Sequence, residues 1–141
     1  MILLDTSGLL AAIDAAQRHH DEAAAALAGH GAPRLLSPFV LAELDYLLST
    51  RISARAAEAL LHEVAIGAYQ LEPFDADDIA RALEIERQYA DLELGLADAS
   101  ILVLSERHKV LDVLTLDERH FRAVLGFRGQ PLRLLPEGLR A

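Results

Sequence analysis

The chain has 141 residues, no cysteine, 22 acidic and 13 basic side chains, and a formal net charge of −9. Its length is that of one domain. With 52% hydrophobic residues the chain can bury more apolar surface than a disordered chain does. The lack of cysteine excludes disulfides, thiolate metal sites and cysteine nucleophiles, while the acidic balance argues against a broad basic surface for nucleic acid.

Short apolar runs alternate with longer stretches of helical spacing, which is typical of α/β units built around a parallel sheet. The predicted strands cover residues 2–4, 35–36, 68–71, 111–114 and 132–135. The first two enclose a predicted helical hairpin of 8–14 and 18–28, which Gly29 and Gly31 end.

The remaining helices follow recognisable start signals. Ser37 and Pro38 combine an N-cap residue with proline at the first helical position, and Asp77 and Asp78 place carboxylates in a first turn, where the helix dipole favours them. These helices are predicted at 39–50, 54–66, 75–89 and 96–108. No repeat, linker or shift in composition divides the chain, so a single domain over residues 1–141 is expected.

Two acidic residues follow predicted strands directly. Asp5 ends the first strand, and Asp117 follows the strand at 111–114. Because the carboxyl ends of parallel strands face the functional crevice of an open α/β sheet, both residues are candidates for a site. Either could instead cap a helix that begins after it, in the second case a short turn at 118–121, and for each residue alone both interpretations stay open.

Two further acidic residues lie on predicted helices among apolar neighbours. Glu43 projects beside the apolar stripe of its helix, while Asp45 points to the opposite side. A carboxylate at that margin loses hydration, and no basic residue stands three or four positions away, so a metal ion or a distant arginine is expected to compensate its charge. Asp98 stands in the most apolar run of the chain, with a helix N-cap as the alternative interpretation.

Together these four acids are expected to converge on one edge of the sheet, since two stand at strand ends and two on helices that begin beside those ends. Carboxylates packed that closely repel one another unless a cation lies among them. Ligation by oxygen alone indicates a hard ion, Mg²⁺ or Mn²⁺, which can activate a water molecule and hold the oxygens of a phosphodiester.

Four segments carry a resemblance to a known family. They are MILLDTSGLLA with Asp5, SPFVLAELDYLL with Glu43, YADLELGLADASILVLSER with Asp98, and TLDERHF with Asp117. In their order and context these segments resemble PIN domains, and specifically the VapC-type toxins of bacterial toxin–antitoxin pairs. The resemblance implies a PIN-like three-layer α/β fold, with a short five-stranded parallel sheet flanked by helices. It also implies Mg²⁺- or Mn²⁺-dependent endoribonuclease activity that leaves a 5′-phosphate and a 3′-hydroxyl.

The same resemblance implies roles for the four acids. Asp5, Glu43 and Asp98 would ligate the metal ion. Asp117 would complete the ligand set or hold a metal-bound water. On this interpretation all four are catalytic as well as metal-binding residues, because the metal-activated water attacks the scissile phosphorus in line.

Other polar residues near the acids are less specific. Thr6, Ser7 and Thr115 match small hydroxyl positions near PIN sites, although a hydroxyl beside a strand end also serves as a cap. Six arginines are candidates for contacting RNA phosphates: Arg18, Arg34, Arg51, Arg55, Arg119 and Arg122. The histidines are not expected to bind metal, because they lack the spacing of a helical ligand pair: His19, His20, His30, His62, His108 and His120.

The resemblance implies partners besides RNA. VapC-type toxins pair as homodimers and are silenced by a cognate antitoxin, which commonly lays a helix in a groove and reaches an arginine to the acids. The predicted helix at 55–66 has enough small and aliphatic residues to form an interface as well as core. An acidic protein also suits a basic partner segment.

The main alternative is a non-catalytic metal-binding or protein-interaction module on the same fold. A phosphohydrolase with an aspartyl nucleophile would want a second aspartate two residues after Asp5, where Ser7 stands. The sequence also lacks a G-x-S-x-G elbow and a P-loop.

The sequence shows no membrane or export signal. Charges interrupt every apolar run before the roughly 20 residues that span a bilayer. The start MILLDTSG lacks the basic region of a signal peptide. A cytoplasmic location is therefore expected.

Overall fold

A computed structural model describes residues 1–139, so the last two residues of the predicted 1–141 domain lie outside the described part. Five strands form one sheet, and all of their pairings are parallel. They are β1 (Ile2–Leu4), β2 (Arg34–Leu36), β3 (Gln70–Leu71), β4 (Asp112–Leu114) and β5 (Arg133–Leu135). The predicted α/β class with a short five-stranded parallel sheet flanked by helices is confirmed.

The helices agree closely with the predicted ones. They are α1 (Thr6–Ile13), α2 (His20–Ala28), α3 (Pro38–Arg51), α4 (Ala54–Ala65), α5 (Ala76–Gln88), α6 (Leu96–His108) and α7 (Glu118–Phe121). Single 3₁₀ turns lie at Ala90–Leu92 and Phe127–Gly129. Helices α1 and α2 pack against each other as the predicted hairpin. None of the helices described is long and apolar enough to cross a membrane.

The largest difference among the strands concerns β3, which was predicted to begin at residue 68. The backbone N–H of Ala68 donates instead to the carbonyl oxygen of Glu63 at 3.0 Å, at the end of α4. That N–H is therefore not available to a strand ladder, and β3 is reduced to two exposed residues at the edge of the sheet.

The core lies on both sides of the central strand. All three residues of β1 are buried, and because successive side chains of a strand point to opposite faces, helices must cover both faces here. Helix α6 is buried over seven consecutive residues, 99–105, which explains why its sequence shows no amphipathic pattern.

The order of the strands is β3-β2-β1-β4-β5. The chain therefore proceeds from β1 through β2 to β3 on one side, and then crosses to β4 and β5 on the other. In open α/β sheets a crevice forms at the carboxyl ends of the strands where the direction reverses, here between β1 and β4. Asp5 follows β1 and Thr115 follows β4, so both lie at this switch point.

Gly8 allows α1 to approach the end of β4. A Cβ atom at this position would lie 2.3 Å from the carbonyl oxygen of Leu114 and 2.7 Å from the backbone nitrogen of Thr115. Both obstacles are backbone atoms of a buried strand end, so neither can move aside without shifting the sheet.

We therefore expect Gly8→Ala to lower the free energy of unfolding by about 1 to 3 kcal/mol, measured by denaturant titration, because overpacking forces backbone shifts. Gly31→Ala is the matched control, since nothing lies within 4 Å of a Cβ placed there. Equal losses in the two variants would contradict the close-approach explanation.

Candidate metal centre

Four acidic residues line one cleft of about 400 Å³ at the carboxyl edge of the sheet. They come from the end of β1, the middle of α3, the first turn of α6 and the segment after β4: Asp5, Glu43, Asp98 and Asp117. The structure thus brings together all four residues that the sequence singled out.

Asp5 is the most buried of the four, with 5% of its surface exposed. It occupies the N-cap position of α1, but its side chain makes no capping hydrogen bond. Its Oδ2 accepts hydrogen bonds from the hydroxyls of Ser7 at 2.8 Å and Thr115 at 2.7 Å. Burial raises the pKa of Asp5, and the two hydroxyls oppose this shift. The interpretation of its side chain as a cap is therefore wrong.

The same hydroxyls tie Asp5 to the backbone beyond β4. Ser7 Oγ accepts from the backbone N–H of Leu116 at 3.0 Å, and Thr115 Oγ1 accepts from that of Asp117 at 2.9 Å. Each hydroxyl thus donates to the carboxylate and accepts from the strand end that carries Asp117. These bonds hold two of the acids in a defined relation.

A buried hydroxyl pair positions the other two acids. Ser37 caps α3 by accepting from the backbone N–H of Phe39 at 3.1 Å. Its Oγ also lies 2.7 Å from Ser100 Oγ, one turn inside α6. The starts of α3 and α6 are therefore joined, and these helices carry Glu43 and Asp98.

Asp98 is the third residue of α6, and Gly95 occupies the N-cap. The interpretation of Asp98 as an N-cap is therefore wrong. Burial and the neighbouring charge of Asp5 raise the pKa of Asp98 to about 6, although His120 opposes the shift. The charges of Asp117 and Glu43 also contribute to this rise, so the cleft disfavours a full set of ionised carboxylates.

The expectation that Glu43 loses its hydration is wrong. Its side chain is exposed at the rim of the cleft. Asp45, which was expected on the solvent side, is half-buried. The buried stripe of α3 consists of Val40, Leu44 and Leu48 only, spaced one turn apart. A stripe this narrow leaves the position before Leu44 on the solvent side.

Asp117 both caps a helix and lines the cleft. Its Oδ1 accepts from the backbone N–H of His120 at 3.1 Å, which caps α7. Its Oδ2 faces the cleft, 2.9 Å from Nδ1 of the His120 ring. The two interpretations of this residue are therefore compatible, one for each carboxylate oxygen.

His120 is the residue of this cleft that the sequence analysis did not anticipate. Its Nδ1 lies 3.3 Å from Oδ2 of Asp98 as well as 2.9 Å from Oδ2 of Asp117. The spacing of histidine pairs does not indicate this residue, because its neighbours in the cleft are carboxylates. The detectable signal is the spacing of Asp117 and His120, since residues three positions apart share one face of a helical turn.

The residues of the cleft fit a divalent cation. Ligating atoms of Asp98, Asp117 and His120 all lie within 4.8 Å of one another. The hydroxyl of Thr6 lines the cleft, is buried, and has no hydrogen-bond partner among residues 1–139. The crowded carboxylates oppose one another's ionisation, and the buried hydroxyl lacks a partner. A hydrated hard cation would compensate the negative charge, and one of its water molecules could bind the hydroxyl.

Comparison with known proteins identifies the class to which this sheet and its acidic cleft belong. The family model described as PIN domain matches residues 2–125. The chain is 38% identical over 135 residues to ribonuclease VapC26 of Mycobacterium tuberculosis, spanning 96% of this chain and 100% of that protein. The chain therefore belongs to the PIN-domain family, in its VapC group.

Two solved structures share this fold. Mycobacterium tuberculosis VapC20, described as a toxin that cleaves the sarcin–ricin loop, superposes with a TM-score of 0.76 at 24% identity, over 83% of this chain and 90% of that one. FitAcB from Neisseria gonorrhoeae superposes with a TM-score of 0.58 at 23% identity, over 77% and 83% respectively.

Removing one charge from the cleft should stabilise the metal-free protein. The pKa of Asp98 is raised in the folded state, so the protonated group favours folding at low pH, and this contribution is lost as the pH rises from about 4 to about 6. In EDTA, Asp98→Asn should raise the free energy of unfolding by about 1 to 3 kcal/mol at pH 7 and have little effect near pH 4.

Denaturant titrations of the variant and the wild type across this pH range measure the difference, and Asp45→Asn serves as the control outside the cleft. A variant less stable than the wild type at pH 7 would contradict the repulsion described here.

Proposed function

We propose that the protein is the toxin of a toxin–antitoxin pair, an Mg²⁺- or Mn²⁺-dependent endoribonuclease that hydrolyses RNA phosphodiester bonds in the acidic cleft. The convergence of Asp5, Glu43, Asp98 and Asp117 at the switch point of the sheet carries this proposal. The likeness to ribonuclease VapC26 at 38% identity supports RNA as the substrate class.

The chain supplies a rigid set of oxygen ligands. Asp5, Asp98 and Asp117, with Glu43 at the exposed rim of the same cleft, would hold the ion. When bound, a divalent cation supplies Lewis acidity, which lowers the pKa of a water molecule and offsets charge on phosphate oxygens. The hydroxyl bonds to Asp5 and the Ser37–Ser100 pair keep the carboxylates in place before substrate arrives.

A second cleft supports a path for the RNA strand. This cleft, of about 510 Å³, shares Asp117 with the acidic cleft and is lined by Arg18 and Arg119. Arg51 lines the acidic cleft itself. Phosphates on both sides of the scissile bond would thus contact guanidinium groups. Such contacts to the RNA backbone position the strand without recognising its base sequence.

Three of the six candidate arginines are less suited to this task. Arg34 donates to the carbonyl oxygen of Leu27 at 3.2 Å, and Arg122 donates to Glu118 at 3.1 Å. Arg55 lies on α4 and lines neither cleft. The arginines that line the two clefts are therefore Arg18, Arg51 and Arg119, which we call the rim arginines.

Apolar surface supports the proposed protein partners, an antitoxin and a second copy of the chain. Helix α4 buries Ala57 and Leu60 in the core, but Leu61 on this helix is 45% exposed, and Ile66, which follows the helix, is 67% exposed. A separate groove of about 200 Å³ is lined by Ile13 at the end of α1, Ile52 after α3 and Leu60 of α4. The net charge of −9 suits a basic antitoxin segment.

Loss of one metal ligand should abolish cleavage. Asp98→Asn is expected to slow Mn²⁺-stimulated cleavage of RNA by at least about 100-fold, because the metal contributes several kcal/mol of charge stabilisation. Cleavage of total RNA, followed by sequencing of the new ends, measures this, and EDTA should suppress it in the wild type. Asp45→Asn should remain active. Unchanged cleavage by Asp98→Asn would remove the site, and metal binding without any cleavage by the wild type would favour the non-catalytic module.

Removal of the rim arginines should weaken RNA binding rather than the chemical step. Arg18→Ala and Arg119→Ala are each expected to raise KM and to reduce the salt dependence of RNA binding by about one phosphate contact, a slope of about 0.7. Fluorescence anisotropy at several salt concentrations measures the slope, with Arg122→Ala as the control on the same segment. If the salt-dependence slope is unchanged in both variants but reduced in the control, the proposed path of the RNA strand is wrong.

A further inference from the structure

The imidazole of His120 is placed inside the acidic cleft rather than beside it. Its side chain is 22% exposed, but Nδ1 itself is fully buried. This atom lies 2.9 Å from Asp117 Oδ2 and 3.3 Å from Asp98 Oδ2, on two different segments of the chain. The nitrogen is therefore close to one oxygen of each carboxylate.

Neither of these short contacts is a hydrogen bond. Nδ1 has no hydrogen-bond partner in the described part of the chain, although both carboxylate oxygens lie within 3.3 Å of it. An ion pair between an imidazolium and a carboxylate would align the N–H with an oxygen, since such bonds are strongest when straight. Both oxygens lie instead to the side of the direction in which the nitrogen points.

That arrangement matches neighbouring ligands around one cation. Ligands of an octahedral ion at about 2.1 Å stand about 3.0 Å from one another. The two nitrogen-to-oxygen distances, 2.9 and 3.3 Å, bracket this spacing. Ligands in such a set point at their common centre and not at each other.

The chain also fixes the backbone of His120. Its backbone N–H donates to Asp117 Oδ1 at 3.1 Å, which fixes the turn of α7 on which both residues stand. The next residue, Phe121, is 1% exposed and anchors the turn in the core. The backbone that carries the imidazole is therefore fixed at the cleft.

We propose that His120 ligates the divalent ion through Nδ1, together with Asp98 and Asp117, so that the centre is a mixed nitrogen–oxygen site that prefers Mn²⁺ to Mg²⁺. Magnesium selects oxygen ligands and gives up its water reluctantly, whereas imidazole nitrogen binds later divalent metals better. This inference rests on the proposed function in one respect, since both place a divalent ion in the cleft.

The test uses Mn²⁺ alone as the probe, bound to the full-length protein without RNA. Electron spin-echo envelope modulation spectroscopy detects the coupling between Mn²⁺ and the nucleus of a nitrogen bonded directly to it. The wild type should show one ¹⁴N coupling, which changes to the ¹⁵N pattern when the histidines are labelled with ¹⁵N. His120→Gln should lose the coupling, and His19→Gln, in the adjoining cleft, should keep it.

Metal affinity gives an independent measurement. Calorimetric titration should show His120→Gln binding Mn²⁺ about tenfold more weakly, with a smaller loss for Mg²⁺, so that the preference between the two ions narrows. Unfolding in EDTA establishes that the variant is folded. The labelled wild type tests the ligand even if this variant does not fold.

The outcomes separate this inference from the proposed function. Manganese that binds in the cleft without any ¹⁴N coupling overturns the histidine ligand and leaves the metal-dependent nuclease intact. Stronger Mn²⁺ binding by His120→Gln also overturns it, because the imidazole would then compete with the ion as a counter-charge. No Mn²⁺ binding at all, or binding that survives Asp98→Asn unchanged, contradicts the proposed function itself.

Discussion

The burial of a carboxylate at the end of the central strand is the constraint on which the rest of the site depends. Asp5 follows a strand that is covered on both faces, so its side chain has little access to water. An ionised carboxylate in such a place needs hydrogen bonds or a cation. Ser7 and Thr115 supply the hydrogen bonds. The same two hydroxyls bind the backbone beyond β4, so the solution to one buried charge also determines where Asp117 lies.

A second buried carboxylate shows what a purely structural arrangement looks like. Glu72 follows β3, so it also stands at a strand end, and it is 6% exposed. Burial tends to raise its pKa, but hydrogen bonds from Gln70, His108 and Arg107 outweigh this effect and the pKa is lowered. Glu72 is thus compensated by the protein itself. Asp5 and Asp98 keep raised pKa values. At Asp5 burial outweighs the hydrogen bonds, and at Asp98 the neighbouring carboxylates add to the effect of burial.

The net charge of −9 takes on a different meaning once the acids are sorted by position. It excludes attraction of RNA by the surface as a whole. What remains is the acidic cleft itself, which four carboxylates line, and the three arginines that line this cleft and the adjoining one. The same acidic surface that repels RNA favours a basic protein partner.

The sequence by itself determined the element order, the parallel sheet and the four acids of the cleft. Apolar runs, N-cap residues and glycine stops act locally, so they can be read without knowing the fold, and helix and strand ends were predicted within two residues. Only the tertiary structure decided which acidic side chains have their negative charge compensated by hydrogen bonds or basic groups of the protein. The exposure of Glu43, the partners of Glu72 and the approach of His120 to Asp98 all depend on side chains far apart in the chain. Local patterns cannot show such contacts, because packing brings the residues together only after the helices and strands have assembled.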